Sequence, residues 1–171
     1  EPYADYIDLD KIIIINDYNT HQRLFSSRIL WLKVFLHMKK QHADIFHACW
    51  PLSGHATILF HLPCKKVLTV HDPISHSNMQ NAKNEKVRVK TFKFFDKLVL
   101  LSKPLLNDFF SHYNISKEKV IVNKMGEFDY LRGIKQIPSN VASKYILFFG
   151  YISPYKGLEY LCEAMNEVHK Q

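Results

Sequence analysis

Polar side chains that could bind a ligand or move a proton stand at the ends of apolar runs. In VLTVHDPISH, His71 and Asp72 directly follow such a run, and Pro73 ends it. A histidine in this position can hydrogen-bond a sugar hydroxyl or transfer a proton near neutral pH. The alternative is an imidazole satisfied by a backbone carbonyl, with Asp72 capping a turn. Position alone leaves both interpretations open.

Two further segments have the same character. In LVLLSKPLLNDF, Ser102 ends an apolar run before a helical stretch, so its hydroxyl is expected to cap that helix, although it could also touch a ligand. In FFGYISPYKGLEYL, Gly150 permits close approach of the backbone to a ligand, and the turn brings Lys156 and Gly157 to a helix start. Free N–H groups and a lysine there favour phosphate. An ordinary turn with a solvated lysine has the same pattern, which falls well short of a P-loop.

Apolar runs alternate with helical stretches along most of the chain. Strands are predicted at 11–17, 43–49, 65–72, 97–102 and 119–124, and helices at 23–41, 53–61, 84–95 and 103–113. This alternation predicts an α/β fold with a parallel sheet covered by helices on both faces. Ligands of such sheets bind beyond the carboxyl ends of the strands.

The stretch 125–144 interrupts this pattern with two glycines and a proline, which predicts a linker. A new strand, YILFFG, and a new helix, PYKGLEYLCEAMNEVHK, follow it. The predicted organisation is therefore a first domain over 1–130, a linker over 131–143, and the first strand–helix unit of a second domain over 144–171.

Composition limits the classes of function. The 171 residues are 47% hydrophobic and carry a formal charge of +7, which indicates a folded protein that favours anionic partners. Charge is the only argument for nucleic-acid binding, because no motif of basic and aromatic residues accompanies it. The three cysteines are far apart and form no CxxC, which favours free thiols in a reducing compartment. No pair of His or Cys residues has the short spacing of a zinc site, so no metal is predicted.

The expected location is the cytoplasm. The first residues, EPYADYIDLD, lack the basic start of a signal peptide, and no apolar run reaches the ~20 residues that a membrane span needs. The helix at 23–41 carries Arg28, Lys33 and Lys40 around an apolar body, which could contact the anionic inner face of a membrane. Its basic residues do not share one face, so a packed helix with solvated lysines is preferred. The sequence indicates no oligomeric state.

Four segments together resemble a known family. ADIFHACWPLSGH, KKVLTVHDPISH, DKLVLLSKPLLNDFFSHYNISKEKVIVNKMGEFD and YILFFGYISPYKGLEYLCEAM cover about 43–165. In this order they resemble segments of the retaining glycosyltransferases of family 4, which have the GT-B fold. The resemblance implies two Rossmann-like, doubly wound domains that face a cleft. The C-terminal domain holds a nucleotide-diphosphate sugar, and the N-terminal domain presents a glycan or lipid-linked acceptor.

The resemblance also implies roles for single residues. His71 would lie near the reacting sugar and the acceptor, as the catalytic histidine. Lys156 would bind the diphosphate and stabilise the charge that builds on the leaving group. Gly150 would let the pocket wall approach the donor, and Gly157 and Ser102 complete the expected ligand-binding set. The sugar's anomeric configuration would be retained, and neither a metal nor a cofactor other than the donor substrate is implied.

The sequence departs from the family pattern at several places. Tyr151 stands where the family usually has an arginine, and a neutral phenol would bind the donor diphosphate more weakly. Glu159 and Glu167 imitate the family's E-x7-E spacing, but they lie in the first helix of the second domain and are rejected as that motif. The family's first strand would precede residue 1, and its E-x7-E would lie beyond 171.

The sequence therefore predicts an incomplete, inactive portion of a glycosyltransferase of polysaccharide, lipopolysaccharide or glycolipid assembly. The alternative is a non-catalytic Rossmann-like binding or interaction module that lacks the donor half.

Overall fold

A computed structural model describes residues 12, 24–74, 81–126 and 145–168 of the chain. Its elements, in order, are α1 (Leu24–Lys40), β1 (Ile45–Ala48), a 3-10 helix (Gly54–His61), β2 (Lys65–Val70), α2 (Ala82–Phe94), β3 (Lys97–Leu100), a 3-10 turn (Lys103–Leu105), α3 (Leu106–His112), a second 3-10 turn (Lys117–Lys119), β4 (Val120–Val122), a third 3-10 turn (Pro154–Lys156) and α4 (Leu158–Val168). The helices and strands predicted between 23 and 124 are thus confirmed, most of them a few residues shorter than predicted. The strand predicted at 11–17 and the linker residues 127–144 lie outside the described part.

The four strands form one all-parallel sheet, in the order β1-β2-β3-β4. Ala48 lies beside Leu68, Val70 beside Leu100, and Leu100 beside Val122. The carboxyl ends of β1, β2 and β3 therefore meet at one edge of the sheet. The predicted α/β fold with a parallel sheet is confirmed at this level.

The core lies on one face of the sheet, because alternate residues of each strand point to the same side. Leu68, Leu98 and Leu100 are fully buried there, together with Phe95 and Phe109. The aromatic rings of the core pack edge-on or tilted, with centroids 5.0–6.2 Å apart, as such rings prefer.

The opposite face of the sheet is less covered by the described residues. It carries Ile45 and Ile121, which are 59% and 45% exposed, and Val67 and Val99, which are half-buried. The physical reason is the strand order. Each strand lies beside the strand that follows it in sequence, and right-handed crossovers between such parallel strands place all the connecting helices on one face. Helices were predicted on both faces of the sheet. Among the described residues, they cover only one face fully.

Local hydrogen bonds fix where α2 and β3 begin and hold their starts in place. Asn81 caps α2, since its side-chain oxygen accepts from the Asn84 N–H at 2.7 Å. The Asp96 carboxylate accepts from the Lys66 N–H at 2.8 Å, and the Asp96 N–H donates to the Lys66 carbonyl at 2.9 Å. These two bonds join the starts of β2 and β3. The Lys66 N–H also holds the pKa of Asp96 below its ordinary value, because it stabilises the charged carboxylate.

The helix α1 packs against the 3-10 helix on one side and is exposed on the other. Trp31, Val34 and Phe35 are half-buried, whereas Leu32 and Leu36 are 46% and 54% exposed. The prediction of a packed helix with solvated lysines therefore holds for one side of α1. None of the described helices has the length and apolar character to cross a membrane.

The segment 145–168 forms its helix but not its predicted strand. Residues 145–150 adopt no regular structure, and Leu147 and Phe149 are 74% and 90% exposed. A strand needs a neighbour for its ladder of hydrogen bonds, and the described residues offer none here. The helix α4 is confirmed, and it is amphipathic: Leu158, Leu161 and Met165, spaced three and four residues apart, are its half-buried positions.

Candidate functional site at the carboxyl edge of the sheet

His71 lies at the carboxyl edge of the sheet, where the sequence places it. It directly follows β2, and its side chain is exposed. The imidazole stacks on the indole of Trp50, with ring centroids 5.1 Å apart and planes inclined by 25°. Trp50 follows β1 by two residues, so the parallel pairing of β1 and β2 brings the two rings together. An exposed imidazole at this edge can exchange a proton or a hydrogen bond with a bound molecule.

Arg88 of α2 anchors the loop that leaves β2. Its Nη2 donates to the carbonyls of Asp72 and Pro73, at 2.7 and 3.0 Å, and its Nε donates to the hydroxyl of Tyr113 at 3.0 Å. The guanidinium also lies 3.8 Å from the Glu85 carboxylate. Because these bonds hold the two residues after His71, Arg88 limits where the imidazole can lie. The alternative in which His71 has only a structural role and Asp72 is a turn residue is also compatible with these hydrogen bonds.

Burial and, after it, a hydrogen bond to Glu85 raise the pKa of Tyr113 to about 12, against the opposing influence of Arg88. Tyr113 is 5% exposed and packs against Phe92 and Phe109. Its hydroxyl is therefore neutral under ordinary conditions and serves as a polar contact for Arg88 inside an aromatic cluster. It belongs to the support of the site and not to its exposed surface.

Ser102 also lies at the carboxyl edge, but the prediction that its hydroxyl caps the following helix is wrong. It follows β3 by two residues and has extended backbone angles, and its side chain makes no capping hydrogen bond. The physical reason is that Pro104 stands at one of the two positions that an N-cap side chain can bond, and proline has no N–H to donate. The ligand-binding interpretation of Ser102 stays a prediction.

The structure brings Gly150 and Lys156 together. The turn Pro154–Lys156 reverses the chain, and a Cβ added to Gly150 would lie 3.1 Å from the Lys156 Nζ. Gly150 has a φ of +125°, a conformation that L side chains rarely adopt. The ammonium group therefore lies against a stretch of backbone that only glycine leaves open. The two residues predicted to meet a phosphate are neighbours in space.

Gly157 and Tyr151 complete this corner. Gly157 ends the turn in the left-handed region, with a φ of +65°, and α4 starts at the next residue. The N–H groups of Lys156 and Gly157 donate within the turn, to Ser153 and Pro154, so they are not open to a ligand. Tyr151 is 87% exposed.

The shared cleft between His71 and Lys156 stays a prediction. The cavity beside His71 has a volume of about 20 Å³ and is lined by residues 49–51, 68–72, 88 and 92, with none from 145–168. A larger cavity of about 640 Å³ lies at the amino ends of β1 and β2, beside Lys65 and Asp96. We give it less weight, because parallel sheets bind their ligands at the opposite edge. Among the described residues, no group of three His, Cys, Asp or Glu side chains is placed to hold a metal.

Trp50 and Arg88 are the residues at this edge that sequence reasoning missed. Trp50 had a usable signal, since it is a large aromatic residue two positions past a strand end. Arg88 had none, since NEKVRVK carries a basic residue at every second or third position.

Comparison of the chain with models of protein families, with curated proteins and with solved structures finds no match.

Proposed function

We propose that the chain is part of a retaining glycosyltransferase of the GT-B type, which transfers a sugar from a nucleotide-diphosphate donor to a glycan or lipid-linked acceptor. The observation that carries the proposal is the Gly150–Lys156 corner at the start of α4. The Lys156 ammonium, which lies beside Gly150 and two residues before the start of α4, suits the charge of a diphosphate. The ordered set of four sequence segments adds to it.

In this proposal the two described parts have separate tasks. Lys156 neutralises charge on the diphosphate as the bond from the sugar carbon to the phosphate oxygen breaks. His71 acts on the acceptor side, at the carboxyl edge of the sheet, where its imidazole can orient the incoming hydroxyl. Gly150 keeps the wall of the donor site open, Gly157 sets the turn before α4, and Ser102 offers a further hydroxyl at the sheet edge.

A second candidate is a non-catalytic Rossmann-like module. The observation that favours it is the corner's limited charge: Tyr151 offers a neutral phenol where the family has an arginine. The exposed apolar side chains of Ile146, Leu147 and Phe149 would suit an interaction surface better than a finished donor pocket. The two candidates differ in whether the protein binds a nucleoside diphosphate.

The experiment is a calorimetric titration of the full-length protein, of which this chain is the proposed part, with UDP, GDP and ADP. Lys156→Ala should weaken the binding of the preferred nucleotide roughly fivefold, the effect of about 1 kcal/mol expected for an exposed charge contact. Lys40→Ala is the matched control, because it removes an equal charge from an exposed position at the end of α1. It should leave the affinity unchanged.

The outcomes separate the candidates. If none of the three nucleotides binds, the transferase proposal fails and the module is favoured. If a nucleotide binds equally well to Lys156→Ala and to the unmodified protein, the role given to Lys156 is wrong.

A further inference from the structure

The Trp50–His71 pair is a flat aromatic surface at the carboxyl edge of the sheet. Trp50 is 67% exposed, compared with 44% for Phe94, which also stacks on another ring. One face of the indole lies against the imidazole at 5.1 Å. The other face of this exposed indole is therefore a flat apolar surface that a ligand at the carboxyl edge of the sheet can contact.

We propose that Trp50 is the platform for a pyranose ring of the acceptor, which lies on the face of the indole that the His71 imidazole does not cover. The C–H groups on one side of a pyranose form an apolar face that can lie on the electron-rich face of an indole. The hydroxyl groups around the ring stay in contact with water, and the stacked imidazole holds the indole in place. The inference rests on the proposed function in that it names the acceptor's chemical class.

The charges around the platform favour a neutral sugar over a nucleotide. Arg88 is the cation among the residues that line the adjoining cavity. Its Nε and Nη2 already donate to Tyr113, Asp72 and Pro73, and its side chain is 13% exposed. A nucleotide's phosphate would therefore find no uncommitted positive charge among these lining residues, whereas a neutral polyol needs none.

The small size of the cavity indicates how the ligand binds. About 20 Å³ holds one water molecule and no sugar ring, so the ring must lie on the exposed indole and not inside the fold. Such a contact is open to solvent and made mainly by one aromatic side chain. We expect weak binding that depends strongly on Trp50 and little on the shape of the surrounding loops.

The test is saturation-transfer NMR on the unmodified protein with methyl β-glucoside and methyl β-galactoside, and with glycerol as the acyclic control. Saturation should reach the ring protons of one sugar face and should not reach glycerol. Trp50→Leu, which keeps an apolar side chain but removes the aromatic face, should weaken binding roughly three- to tenfold. Trp50→Tyr should restore part of it. Because Trp50 is exposed, both variants should keep the far-UV spectrum and melting temperature of the parent.

Three outcomes would overturn the inference: no transfer to either glycoside, equal affinity of Trp50→Leu and the parent for the glycosides, or, with uridine as a nucleoside control, transfer to uridine that exceeds transfer to the sugars. The nucleotide titration with Lys156→Ala is independent of these results. If nucleotides bind but glycosides do not, this inference fails and the proposed transferase stands. If glycosides bind at Trp50 and nucleotides do not bind, the sugar platform stands and the transferase proposal fails.

Discussion

Replacing Arg88 by methionine should destabilise the protein substantially. Methionine keeps an apolar stem near the Phe92 and Tyr113 rings, over which the guanidinium carbon lies at 5.5 and 5.7 Å, but it deletes three hydrogen bonds. Hydrogen bonds from a charged donor contribute about 1.5–3 kcal/mol each. The carbonyls of Asp72 and Pro73 are in half-buried residues and can recover water, so only part of that sum is lost.

We therefore expect the free energy of unfolding to fall by about 2–4 kcal/mol, of which the loss at the buried Tyr113 hydroxyl is the most secure part. For a chain of this length, this corresponds to a fall of roughly 5–15 °C in melting temperature. Urea denaturation followed by circular dichroism measures the free energy, and a thermal scan measures the shift.

The matched control for this prediction is Lys90→Met, a change of equal charge at an exposed position of the same helix. It should alter stability by less than about 0.5 kcal/mol. If Arg88→Met is as stable as Lys90→Met, the three hydrogen bonds do not hold the exit loop of β2. The argument that Arg88 positions His71 would then be refuted.

Three further predictions concern the core and pH. Because the pKa of Tyr113 is raised to about 12, its contribution to stability is complete below pH 10 and is lost as the pH rises towards that value. Tyr113→Phe should therefore show a smaller fall in the urea midpoint between pH 8 and pH 11 than the parent. An equal fall in the variant and the parent would contradict this prediction. The lowered pKa of Asp96 has the opposite consequence, because its stabilisation is present above pH 3.8 and is lost as the pH falls further. The difference in the free energy of unfolding between the parent and Asp96→Asn should therefore be smaller at pH 3 than at pH 6, as measured by urea denaturation. Phe109→Ala, at a fully buried ring, should lower the free energy of unfolding by about 3–5 kcal/mol in urea denaturation. Phe94→Ala, at a 44% exposed ring, should lower it clearly less. Equal losses would contradict the assignment of Phe109 to the core.

Local pattern was sufficient to predict the elements between 23 and 124. Short apolar runs bounded by Pro63 and Pro73 mark β2, and the alternation of such runs with helical stretches predicts parallel strands. The position of His71 at a strand end follows from the same pattern. The turn that brings Lys156 to the start of α4 was predicted as well.

Features that depend on contacts between distant segments could not be predicted. The Trp50–His71 stack needs the register of β1 and β2, and the Arg88 anchor needs the position of α2 over the exit of β2. The prediction of a strand at 145–150 was wrong for a related reason. Its apolar residues have the propensity for a strand, but strand formation also requires a partner, which the residues themselves do not specify.

The most direct test of the proposed sugar transfer uses the full-length protein of which this chain is the proposed part. It measures the release of nucleoside diphosphate from a panel of nucleotide-diphosphate sugars, with a glycoside acceptor present. The proposal predicts release with one preferred donor and retention of its anomeric configuration in the product. His71→Ala should lower kcat far more than it changes the KM for the donor, and Lys156→Ala should raise that KM. No release from any donor by the protein, or equal rates in the His71→Ala variant, would contradict the assignment of these two residues to one reaction.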